Sequence, residues 1–173
     1  MRKSTFLKHI QNLEEEDLRE ELSLLYDKVK EVKQFYMMEL GSTDDRQKRY
    51  LKAKQEIIAK FKTKSYRKPR RPRIQKINKI VSQLKKISIF GYEMIDIYLF
   101  LTETGLTFMK EYRFESIPLE NLIVKSYTKA IELIVVSKME EEYEDRSEMI
   151  LNDADRFFPI NEELEAQFSK AYK

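Results

Sequence analysis

The residues of this chain whose types and spacing could do chemistry are cations. Between Ile57 and Tyr92 the sequence carries Lys60, Lys62, Lys64, Arg67, Lys68, Arg70, Arg71, Arg73, Lys76, Lys79, Lys85 and Lys86 without a single Asp or Glu. Twelve of the 33 basic residues thus fall in one segment that holds none of the 30 acidic ones, and the net charge of +3 conceals a basic block in an acidic body. Such a block creates a local potential that attracts phosphates. At its densest, in RKPRRPR, arginines are suited to bidentate contact with phosphate oxygens, and neighbouring Tyr66 offers a ring on which a base would stack. The candidate binding residues are therefore Lys64, Tyr66, Arg67, Lys68, Arg70, Arg71, Arg73, Lys76 and Lys79. The competing expectation is internal: the acidic runs Glu14 to Glu21 and Glu140 to Glu148 would neutralise the block within the molecule or across a dimer.

Other chemistries find little support. The chain has no cysteine, which excludes disulfides, thiolate metal sites, iron–sulfur clusters and cysteine nucleophiles. His9 is the single histidine and Phe6 stands three residues before it, so a di-metal bundle built on Glu-x-x-His pairs cannot form. The cluster Glu140, Glu141, Glu142, Glu144, Asp145 and Glu148 lacks the glycine and spacing of a calcium loop and reads as a solvated helix face. No Gly-rich nucleotide loop and no G-x-S-x-G elbow occurs. The aromatic stripe Tyr92, Tyr98, Phe100, Phe108 and Tyr112 has the helical spacing of core residues. No catalytic residue, metal or cofactor is expected. What remains is a non-enzymatic binding or scaffold module that recognises a macromolecular partner, a protein or a second copy of itself, through a helix face and the basic segment. The alternative is direct binding of DNA or RNA through the block 60–86.

The elements that must position the block are helical. Hydrophobic residues make up 42% and charged ones 36%, a globular composition, and three glycines with four prolines leave too few turn signals for an all-β fold. An all-α single domain over 1–173 is predicted, a bundle or short helical-hairpin array of about seven or eight helices. A helical hairpin over 1–62 and a helical part over 73–173 would be joined by a basic, proline-containing linker at 63–72, where Pro69 and Pro72 disfavour helix. A short helix from Ser4 to Gln11 comes first. Leu18, Leu22, Leu25, Val29, Val32 and Tyr36 then recur at steps of four and three, predicting one long helix from Glu15 to Leu40 that buries a single stripe and ends at a left-handed Gly41. Ser42 has the position of a cap for a helix burying Tyr50, Ile57, Ile58 and Phe61. Ile74, Ile77, Val81 and Leu84 mark another.

From Gly91 to Tyr112 the same periodicity holds, with Gly105 either breaking the helix or letting a neighbour approach closely. Ser116 and Pro118 mark the next start, with Leu119, Leu122, Tyr127, Ala130, Ile134 and Val135 as core. Ser137 and Glu140 have capping-box spacing, Pro159 would end that helix, and Asn161 would cap a last one. No apolar run approaches the roughly 20 residues needed to span a bilayer, and MRKSTFLKHIQNLEEE lacks the apolar stretch of a secretory leader. A cytoplasmic location is the expectation.

Three segments, LKHIQNLEEEDLREELSLLYDKVKEVKQFY, KPRRPRIQKINKIVSQLKK and IDIYLFLTETGLTFMKEY, resemble an uncharacterised family of small all-helical bacterial proteins. The resemblance covers about two thirds of the chain. It implies an all-helical fold and carries no assigned activity or functional residue.

Overall fold

The structure is a computed structural model that describes residues 2–88 and 91–172. Among these residues the chain forms helices only: α1 (Lys3–Gln11), α2 (Glu15–Lys28), α3 (Lys30–Glu39), α4 (Thr43–Phe61), α5 (Ile74–Ile87), α6 (Gly91–Tyr112), α7 (Ile117–Ser137), α8 (Glu140–Ala154) and α9 (Phe158–Tyr172). The all-α class agrees with the sequence, but the described residues hold nine helices rather than seven or eight. The extra one arises where the long helix predicted from Glu15 to Leu40 breaks at Val29, which is extended (φ −109, ψ 106) with neither glycine nor proline nearby. The break turns α3 onto α5 and carries Met38 into the core. A straight rod would leave that half of the stripe in water.

Helix α6 sits at the centre. Its apolar residues cover all faces, burying Met94, Ile95, Ile97, Leu99, Leu101, Leu106, Phe108 and Met109, as a helix surrounded by others requires. It is continuous through Gly105, whose missing side chain admits α7: a Cβ there would lie 2.6 Å from Ile123 Cγ1. Helices α4 and α8 both pack on α6, α5 packs on α4 and α9 on α7 and α8, and one set of buried side chains runs from Met38 to Leu164. The short α6–α7 connection closes through Arg113 (φ 48), with the Phe114 N–H donating to the Met109 carbonyl.

Local signals explain most helix ends. Ser42 caps α4, its hydroxyl oxygen accepting from the Asp45 N–H at 3.2 Å. Gly41 follows α3 without a left-handed conformation. Its role is steric, since a Cβ there would stand 2.3 Å from the Met37 carbonyl oxygen. The turn before α8 uses no capping box: Ser137 closes α7, and Lys138 takes the left-handed conformation (φ 55) while Met139 N–H reaches back to Ile134 O. Pro159 begins α9 instead of ending α8, because a missing N–H costs least in a first turn. Asn161 consequently lies inside α9, donating to Glu165. Ile58 and Val135, expected in the core, are 42% and 41% exposed.

At the amino end α1 and α2 bury no residue at all. Phe6, Leu7, Leu22, Leu24 and Leu25 stand in solvent on this arm.

Candidate functional site

The strap between α4 and α5 is a closed loop tied to itself. Arg73 N–H donates to the Lys60 carbonyl at 3.1 Å, joining the end of α4 to the start of α5. Inside the loop, Thr63 Oγ1 accepts from the Arg70 N–H at 2.9 Å, and Ser65 Oγ accepts from the Lys68 N–H. Pro72 is buried and anchors the loop on the body. Hydrogen bonds thus fix the backbone while leaving the charged side chains outside. Lys64, Arg67, Lys68, Arg70, Arg71, Arg73, Lys76 and Lys79 are all exposed. Tyr66 packs one side of its ring near Tyr112, with centroids 5.7 Å apart, and remains 69% exposed.

None of the twelve cations forms an ion pair with a described carboxylate. Ion pairs among the described residues instead join Arg19 to Glu15, Lys48 to Asp44, Lys54 and Arg146 to Asp96, Arg146 to Glu103, Lys110 to Asp153 and Lys129 to Glu132, while His9 and Glu21 are hydrogen-bonded. Among the described residues, no carboxylate of the runs 14–21 and 140–148 is paired with the block.

Only some of the candidate residues converge. Arg70, Arg71, Arg73 and Lys76 line one groove of about 590 Å³, together with Ser116 and Pro118 at the start of α7. Lys64, Tyr66, Arg67, Lys68 and Lys79 lie outside it. A second groove, of about 370 Å³, runs on between α5 and α7 and shares Ile74 and Pro118 with the first. It adds Lys85, Lys125 and Lys129, and neither groove is lined by an Asp or Glu. Lys125 and Lys129 were not singled out in the sequence. They belong to a helix 40 residues downstream, and only the packing of α7 along α5 brings them to the block.

A second polar constellation was also illegible as a site. Asp96, inside the apolar α6, accepts from Arg146 of α8 at 2.8 Å and pairs with Lys54 of α4 at 2.7 Å. Arg146 also grips Glu103 with two nitrogens, at 2.6 and 3.0 Å. Burial by itself would raise the Asp96 carboxyl pKa, but the hydrogen bonds and charges of Lys54 and Arg146 hold it below its ordinary value. For Arg146 burial disfavours the charge, and Glu103 and Asp96 outweigh it, leaving the guanidinium more firmly protonated than usual. Nearby, Tyr50 donates to the buried Glu93 at 2.7 Å, and burial pushes its phenol up. The members of this cluster satisfy one another across three helices, the arrangement of a brace. The only hint in the sequence is Glu93, Asp96 and Glu103 interrupting an otherwise apolar helix.

Among the described residues no group of three or more His, Cys, Asp or Glu is placed to hold a metal ion, and no helix is long and apolar enough to cross a membrane. The model of a family of unknown function, DUF6155, matches residues 1–171. No curated protein and no solved structure matches the chain.

Proposed function

We propose, for a chain that belongs to this family of unknown function and takes no activity from it, that the protein is a non-enzymatic binding module. It holds a macromolecular partner through the basic strap and an exposed helix face. One observation carries the reading: twelve clustered cations, eleven of them exposed and the twelfth, Lys60, half-buried, form no ion pair with a carboxylate among the described residues. Self-repulsion in such a cluster disfavours the folded state, and an anionic partner relieves it. The helix face is the amino-terminal arm, whose leucines and Phe6 suit a protein surface. The polar cluster around Arg146 is read as structural because its charges neutralise one another.

Chromatography on an immobilised polyanion tests the strap. The intact chain should elute at high salt, and the variant Arg67→Ala/Arg70→Ala/Arg71→Ala/Arg73→Ala at clearly lower salt. Identical elution of the two proteins would reject the strap as the binding element. A second reading, direct binding of DNA or RNA through 60–86, is favoured by the arginine-rich groove, since guanidinium forks match phosphate oxygens.

A further inference from the structure

We infer that the trough between α5 and α7 holds a single strand of nucleic acid, entering at Arg70, Arg71 and Arg73 and continuing past Lys85 and Lys125. This rests on the strap being a binding element and adds to it a ligand class and a path.

Continuity and shape carry the inference. The strap groove and the α5–α7 groove share Ile74 and Pro118, so they form one elongated depression. Its length follows α5, whose 14 residues span about 20 Å at 1.5 Å per residue, room for several nucleotides. Cations stand at the mouth and at intervals along the walls, while Ile74, Val81, Pro118 and Leu122 form an apolar floor. A polyanion with apolar faces fits both features: phosphates take the rim and bases or sugars take the floor. Half-buried Tyr98 lines the same depression, and an aromatic ring beside a cationic groove is the single-strand mode of recognition. A duplex exposes base edges only inside its grooves and keeps its base faces stacked, so it has no free apolar face to lay on this floor. The other groove beside α5 makes the contrast. It lies against α3 and α4, and Glu31 and Glu56 interrupt its cations Lys30, Arg49, Lys52 and Lys86, so it offers a polyanion no unbroken cationic path.

Fluorescence anisotropy with labelled 12-nucleotide oligo(dT) and oligo(U) tests this, alongside a duplex of equal length, inorganic phosphate as competitor and vesicles of phosphatidylserine in phosphatidylcholine. The single strands should bind more tightly than the duplex, and millimolar phosphate should compete weakly because it fills only the mouth. Lys85→Ala/Lys125→Ala should weaken single-strand binding by about tenfold or more, while Lys30→Ala/Lys52→Ala, which removes equal charge from the opposite groove, should change it by less than about twofold. Equal effects of the two pairs, a duplex preference, or binding to the vesicles alone would overturn the trough while leaving the strap reading intact. If the strap variant and the intact chain bind every polyanion alike, the strap reading falls with it. All substituted lysines are exposed, so unchanged circular dichroism serves as the folding control.

Discussion

Replacing Arg146 separates the brace from the strap. Its side chain is 31% exposed, and it makes three hydrogen bonds, two to Glu103 and one to Asp96, across the α6–α8 contact. Removing one partner of a fully buried ion pair costs about 3–5 kcal/mol. Here Asp96 and Glu103 keep 35% of their side-chain surface in water and Lys54 still neutralises Asp96, so the stranded charge is mainly Glu103. Discounting for solvent screening, Arg146→Ala should destabilise the fold by about 2 kcal/mol, lowering the melting temperature by about 4–8 °C for a chain of this size. Arg146→Lys keeps the charge but loses the planar fork and should fall between. Urea unfolding followed by circular dichroism measures each value, and the linear salt dependence of polyanion binding should be untouched in both variants. A loss below about 0.5 kcal/mol would mean that the three hydrogen bonds only replace hydration, and would refute the cluster as a brace. Lost polyanion binding with stability intact would move the cluster into the functional site.

Three further outcomes follow from the same geometry. Because the folded-state pKa of Asp96 is depressed, its contribution to stability is full above the unfolded value near 3.8 and disappears as pH falls through the folded value; urea midpoints should therefore drop below about pH 4, and this acid sensitivity should shrink in Asp96→Asn. Lys138→Gly, at a left-handed position, should raise stability by about 0.5–1 kcal/mol in thermal unfolding, since a residue without Cβ sits there unstrained. Gly105→Ala should lower stability by about 1 kcal/mol net: overpacking against Ile123 outweighs the gain in helix propensity, and the penalty should shrink in an Ile123→Ala background.

The legibility of each feature in the sequence depends on what kind of force decides it. Local forces left clear marks: the cap at Ser42, the start of α7 at Pro118 and the spacing of Ile74, Ile77, Val81 and Leu84 all appear where the sequence places them. Competition between burial and continuity left none. The stripe from Leu18 to Tyr36 is unbroken in sequence, yet the chain bends at Val29 because only α3 finds a surface to pack on, while α2 keeps Leu22 and Leu25 in solvent. Pro159 and Asn161 misled for a simpler reason, as a proline that ends one helix and one that begins the next look alike in sequence. For the site, charge density was visible along the chain, but convergence was not. Which cations share a groove depends on α7 lying along α5, so Lys125 and Lys129 stayed hidden while Lys79 was included. The brace joins positions 42 to 50 residues apart, a separation that no local pattern records.

The strap stands or falls on its charge being available to a partner. Affinity for a single-stranded oligonucleotide, measured by anisotropy across a salt series for the intact chain and for the variant lacking Arg67, Arg70, Arg71 and Arg73, reads that availability directly. The account predicts a steep fall of log K with log salt in the intact chain and a slope shallower by about 3 in the variant, four fewer phosphate contacts at about 0.7 each. Equal slopes, or an affinity that salt does not change, would contradict it.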